Sequence, residues 1–152
     1  MNPTIINRKK LIIAGVSGDG KKTGEIWQSF MKLNEIIGLR YKLTENGYEI
    51  RVYTHDECKC HVGFAVKNHD VDKSFTIMEL PASEYASFDV YVAKGYDSEN
   101  SAMDEWLRTN TQGYVQRLYD GNPYAVEYYD KRFHGNKDDS IVEIWVPIER
   151  PK

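Results

Sequence analysis

Asn122-Pro123-Tyr124-Ala125-Val126-Glu127-Tyr128-Tyr129-Asp130 sets a carboxylate inside an otherwise apolar and aromatic strand. Because a strand sends alternate side chains to opposite faces, Glu127 shares its face with Ala125 and Tyr129, while Val126 and Tyr128 point the other way. The closing stretch Ile141 to Ile148 repeats the device: Val142, Ile144, Val146 and Ile148 make an aliphatic face and leave Glu143 and Trp145 together on the other. If the two strands are neighbours, they offer two carboxylates among aromatic rings. Such a floor suits a flat, cationic ligand, since ring faces and carboxylates both attract positive charge. The pattern fits equally an exposed face on a strand whose other side is buried.

Outward from this stretch, the chain reads as strands and helices in one order, twice. Lys10 to Val16 is a strand, and the glycines of Gly15-Val16-Ser17-Gly18-Asp19-Gly20 read as a turn. Ile26, Phe30, Leu33 and Ile37 fall at the helical period, with Gly38 as a C-terminal stop. After the turn signal Glu45-Asn46-Gly47, strands follow at Tyr48 to Thr54 and Cys58 to Val66, the latter with Cys60, Val62, Phe64 and Val66 on one side. The order then restarts. Phe75 to Val92 is extended with a break near Pro81-Ala82, and Asp97 or Ser98 caps a helix striped by Ala102, Met103, Trp106, Leu107 and Asn110, stopping near Gly113. The two strands of the opening finish the second unit.

The 152 residues suffice for one well-buried core, and the net charge of -3 with a pI near 5.8 argues against nonspecific nucleic-acid binding. No apolar run approaches the ~20 residues of a membrane span, and no hydrophobic signal core opens the chain, so a cytoplasmic protein is expected. Eleven tyrosines against five phenylalanines favour a lined cleft, because tyrosine adds a polar tip to its apolar body.

Several tempting motifs carry no chemistry. Gly15-x-x-x-x-Gly20-Lys21 resembles a phosphate loop, but Lys22 stands where a Mg²⁺-binding hydroxyl is needed, and two consecutive strands follow the helix. His55, Cys58, Cys60 and His61 have metal-ligand chemistry without the second, separated pair of a structural zinc site, so no metal is expected. His69 and His134 sit in polar, turn-like segments, and no serine lies on a nucleophile elbow.

Taken in order, Ile26-Trp27-x-x-Phe30, His61-Val62-Gly63-Phe64-Ala65-Val66, Glu79-Leu80-Pro81-Ala82-x-x-Tyr85-Ala86-x-Phe88, Glu105-Trp106, Val126-Glu127-Tyr128-Tyr129 and Glu143-Ile144-Trp145-Val146-Pro147-Ile148 resemble the GyrI-like family. That family also supplies effector-binding domains of AraC-type and multidrug-sensing transcription activators. The resemblance, from about Lys10 to Ile148, implies an α+β fold: two strand-helix-strand-strand repeats with pseudo-two-fold symmetry, an antiparallel sheet and a central ligand cleft. It implies a single domain over 1–152, with repeat one about 8–67 and repeat two about 74–148. The family's characteristic buried glutamate falls on Glu127. With about ten residues before the first strand, the module is expected to stand alone, without the preceding DNA-binding domain of the regulators.

The resemblance implies a cofactor-free module for bulky aromatic or hydrophobic compounds, cationic or electrophilic, serving detoxification. Its expected ligand site is Glu127, Glu143, Trp106, Trp145, Tyr91, Tyr129 and Phe64. As an alternative, some stand-alone members are similar to cyclopropanoid cyclopropyl hydrolases, which open the strained ring of DNA-alkylating natural products. Glu127 would then orient the water and Tyr129 would donate to the substrate oxygen. A third possibility is action on a protein target, as in gyrase inhibition.

Overall fold

The structure, a computed structural model, describes residues 2–151, and not the side chains of Ser98 and Glu99. Nine strands and two α-helices follow in the order β1 (Thr4–Arg8), β2 (Leu11–Asp19), α1 (Thr23–Ile36), β3 (Lys42–Tyr53), β4 (Cys58–Val66), β5 (Thr76–Leu80), β6 (Ser83–Tyr91), α2 (Asp97–Thr109), β7 (Val115–Gln116), β8 (Tyr124–Tyr129) and β9 (Ile141–Glu149). They form one antiparallel sheet in the spatial order β1-β6-β9-β8-β3-β4-β2-β5, with β7 on β9. Its middle six strands mirror each other about the β8/β3 seam. In each unit the strand after the helix lies at the seam, the next lies beside it, and the strand before the helix lies outside. The fold is thus the duplicated α+β plan that the sequence implies.

Both helices cover one face. Ile26 and Phe30 of α1 are buried against Ala14, Val62 and Phe64 of β2 and β4, while Met103 and Trp106 of α2 are buried against Phe88, Ile144 and Val146 of β6 and β9. Each helix lies over its own half, which leaves the seam strands β3 and β8 between them uncovered. The opposite face holds its own core. Ile13 and Leu80 from one end of the strand order meet Tyr85 from the other, together with Ile50, Val126 and Trp145. The sheet therefore curls until its two ends share one apolar interior.

The structure corrects several sequence expectations. Gly15 and Gly18 belong to β2 rather than to a turn, which begins only at the 3-10 segment Gly20–Lys22. Gly15 pairs with Gly63 of β4, and a Cβ on Gly15 would lie 1.6 Å from the Val62 carbonyl oxygen. What that position requires is the absence of a side chain, not a turn conformation. Glu45-Asn46-Gly47 lies within β3, at an irregularity in its pairing with β4 between Lys42 and Gly47. Residues 4–8, which precede the first strand expected from the sequence, form β1 and pair with β6. Ile37 is the C-cap of α1 and stays exposed rather than completing the buried stripe. Tyr96 caps α2 without a side-chain bond, so Asp97 is its first helical residue, and the Ser98 side chain lies outside the described residues.

Candidate functional site

The seam puts two carboxylates face to face. In the β3/β8 register Glu49 pairs with Glu127, flanked by Gly47 with Tyr129 and by Arg51 with Ala125. Opposed residues on neighbouring strands share a face, so Glu49, Arg51, Glu127 and Tyr129 all point to the helix side. The pairing continues past the start of β8, where Tyr53 N donates to the Pro123 carbonyl at 2.9 Å. Tyr119 and Asn122 exchange both backbone hydrogen bonds around Asp120 and Gly121, whose φ values of 48° and 79° belong to a tight hairpin turn.

A cleft of about 670 Å³ opens above these residues, walled by Thr23 at the start of α1 and by Tyr96, Met103 and Leu107 of the α2 segment. On its floor, Glu49 accepts from Trp27 Nε1 at 2.8 Å through Oε1 and from Arg51 Nε at 2.9 Å through Oε2. Glu127 accepts from the Tyr129 hydroxyl at 3.0 Å and, at a longer 3.3 Å, from Arg51 Nε. Arg51 is itself pinned, its Nη2 donating to Thr23 Oγ1 at 2.6 Å and its Nη1 to the Gly20 carbonyl at 3.2 Å. One guanidinium therefore serves two carboxylates, and Glu49 has the better share of it.

Burial, more than this imbalance, keeps Glu127 protonated. Burial pushes its pKa up to about 8, the hydrogen bond and repulsion from Glu49 push the same way, and Tyr129 and Arg51 oppose them. With Glu127 protonated the two carboxyls and the guanidinium are neutral together; with it ionised they carry one net negative charge. Burial, together with the charge of Glu127 and Glu49, drives the Tyr129 hydroxyl well above its ordinary pKa, so it stays a donor. The same causes raise Tyr96 to about 12. The floor can thus donate one hydrogen bond, hold one exchangeable proton or accept one positive charge.

Of the residues singled out in the sequence, Glu127 and Tyr129 line this cleft. Glu143 and Trp145 do not share its face, because the β8/β9 register pairs Glu127 with Ile144, and Tyr128 with Glu143. The alternation along each strand was correct; the offset between them reverses the faces. Ile144 and Val146 supply the apolar side of the cleft instead. Trp145 is fully buried in the opposite core and donates to Glu143 at 2.9 Å. Tyr91 is exposed on that opposite face, at the end of β6 paired with Ile141. Trp106 is buried beneath α2, stacked on Tyr114 at 6.2 Å, and Met103 and Leu107 reach the cleft in its place. Phe64 packs edge-on to Phe30 at 5.0 Å under α1.

Glu49, Arg51 and Trp27 were missed as site residues. The duplicated plan itself carried the signal, since β3 is the mate of β8 and its Glu49 is the mate of Glu127. Of the candidate metal ligands, Cys58 and Cys60 are free thiols, while His61 is buried, bonded to Ser17 and to the Ile13 carbonyl. Among the described residues no helix is long and apolar enough to cross a membrane.

Comparison with known proteins agrees with this fold. The sequence model described as integron-associated effector binding protein matches residues 4–148. The chain belongs to this family. The same fold recurs among solved structures, at identities that speak to fold alone. SAV2435, solved bound to tetraphenylphosphonium, superposes with a TM-score of 0.71 at 15% identity over 98% of this chain and 94% of its own. The C-terminal domain of EcmrR gives 0.66 at 12% identity, covering 97% of each chain. An integron cassette protein from Vibrio cholerae gives 0.58 at 12%, covering 98% of this chain and 97% of its own. No curated protein matches the sequence. The family places the chain among effector-binding modules, and the solved neighbours share its GyrI-like fold.

Proposed function

We propose that this effector-binding module captures bulky aromatic cations, with Glu127 as the counter-charge, and that sequestering such compounds protects the cell. The observation that carries this reading is the cleft-lining Glu127, reached by Arg51 only at 3.3 Å, beside a Glu49 already bonded by Trp27 and Arg51. A cation entering the cleft replaces the Glu127 proton and restores neutrality, whereas a neutral ligand gains nothing from the ionised floor. Tyr96, Met103 and Leu107 provide the apolar wall that such a ligand needs. The tetraphenylphosphonium held by SAV2435 is a compound of this class. Titration of the protein with tetraphenylphosphonium, followed by calorimetry, tests the reading. Glu127→Gln should lose about tenfold or more in affinity, the equivalent of ~1.4 kcal/mol. An unchanged affinity in that variant would overturn Glu127 as the counter-charge.

The hydrogen-bonded Tyr129 and Glu127 pair favours a second reading, ring-opening hydrolysis of a cyclopropanoid. Ionised Glu127 would take a proton from water as its oxygen bonds to the ring methylene. The ring C–C bond would break towards the dienone, Tyr129 would donate a hydrogen bond to the oxygen that gains charge, and the proton taken up by Glu127 would pass to that oxygen as the phenol forms. A product heavier by one water, formed by wild type and not by Glu127→Gln, distinguishes this reading from capture alone.

A further inference from the structure

Beyond Glu49 and Tyr129 the cleft does not end. A second cavity of about 580 Å³ opens between α1 and the start of β3, and Thr23, Glu49 and Tyr129 line both cavities. Its inner walls are Trp27 and Met31 from α1, Phe64 from β4 and Phe133 from the segment that follows β8, with Glu45 and Asp130 at the rim. Trp27 and Phe133 both meet Tyr129 edge to face, at 5.7 and 4.9 Å between ring centroids. The indole N–H of Trp27 is taken up by Glu49, so its carbon edge and face remain for contact with a guest.

The duplicated plan explains the second cavity. The first lies between α2 and the end of β3 with the start of β8; the second lies between α1 and the start of β3 with the end of β8. The exchange of helices and strand ends is the one that the seam imposes, and the paired Glu49 and Glu127 sit between the cavities. The acidic groups at the rim of the second cavity are already engaged, Glu45 by Lys42 at 2.8 Å and Asp130 by Arg132 at 2.9 Å. This half consequently presents aromatic and thioether surface with little free charge. From Gly47 in the second cavity to Tyr53 in the first, β3 runs about 20 Å at ~3.3 Å per residue.

We infer that the second cavity is a ligand half-site, and that the whole cleft takes elongated compounds with an aromatic ring at each end and a positive charge on at least one. The inference rests on the reading that the first cavity holds an aromatic cation. One end neutralises Glu127, and the other is held by burial and ring contacts against Trp27, Met31 and Phe133. Joining the two ends makes the second binding event intramolecular, so affinity depends on whether the linker spans the ridge at Glu49 and Tyr129.

The test compares N-methylquinolinium with bis-quinolinium compounds joined by polymethylene linkers spanning up to about 20 Å, titrated calorimetrically into the wild-type chain and two variants. Phe133→Ala empties the second half-site. Gly24→Leu fills it from the first turn of α1, where an added Cβ meets nothing within 4 Å. Wild type should bind one bis-quinolinium per chain, with an optimum at a spanning linker and a gain of about tenfold or more over N-methylquinolinium. Both variants should abolish that gain while binding N-methylquinolinium as wild type does. Binding of N-methylquinolinium with no gain from the second ring, or a gain that survives both variants, would overturn the second half-site alone. Failure of every quinolinium to bind would overturn the cation reading of the first cavity along with it.

Discussion

Glu127 and Glu143 stand one register step apart on neighbouring strands, and they live in different molecules as far as chemistry is concerned. Glu127 faces the gap between the helices, where one shared guanidinium leaves it under-compensated and burial keeps its proton on. Glu143 faces the other side, where Arg132 pairs with it, Trp145 donates to it at 2.9 Å and Ser87 at 3.0 Å. The surplus of partners makes Glu143 a structural anchor for the curled interior; the deficit leaves Glu127 as the carboxyl proposed above as the counter-charge of a ligand. Satisfied carboxylates hold folds together, and unsatisfied ones in a cavity wait for a charge.

The largest expected effect lies on the Glu143 face. Trp145→Ala removes a fully buried ring between Tyr48, Tyr85 and Tyr128 and strips Glu143 of a donor, which should cost about 3–5 kcal/mol in denaturant unfolding. A loss below about 1 kcal/mol would mean that the interior repacks and that the two faces are less distinct than they look. Next comes the tenfold or greater fall in tetraphenylphosphonium affinity expected of Glu127→Gln, with unfolding stability at neutral pH retained or raised because glutamine is neutral without having to take up a proton on folding.

A pH profile sharpens the contrast further. The folded-state pKa of Glu127 lies above its unfolded value of about 4.5, so its neutral form favours the ligand-free fold. That contribution is fully present at acid pH below about 4.5 and is lost as pH rises to about 8, where Glu127 ionises in the folded state. Cation affinity should climb through the same window as the proton leaves. Thermal melts and titrations across this range should show both trends in wild type and neither in Glu127→Gln; identical profiles would place the titrating group elsewhere. The smallest effect belongs to Glu143→Gln, which should alter tetraphenylphosphonium affinity by less than about twofold, since no part of Glu143 lines the cleft.

Much of this contrast was legible in the residues. The alternation in Ile141 to Ile148 and in Tyr124 to Tyr129 gave the correct face assignment within each strand, and the period of Ile26 and Phe30 gave the buried side of α1. Alternation says nothing about the offset between two strands, and a one-residue shift of register exchanges every side chain between faces. For that reason the sequence points to Glu143, and not Glu49, as the neighbour of Glu127. The glycines Gly15 and Gly63 misled in another way, because composition does not distinguish a turn from a place where two backbones nearly touch.

The hydrogen bond from Trp27 to Glu49 has an optical consequence. Of the three tryptophans, Trp106 lies buried beneath α2 and Trp145 lies in the opposite core, while Trp27 lines the half-site beside the carboxylates. A guest that settles against the indole, or alters the charge at the far end of its N–H bond, shifts the emission of one fluorophore while the other two supply a steady background. The unlabelled protein can therefore signal occupancy of its own cleft by colour and intensity, and Trp27→Phe would silence that signal.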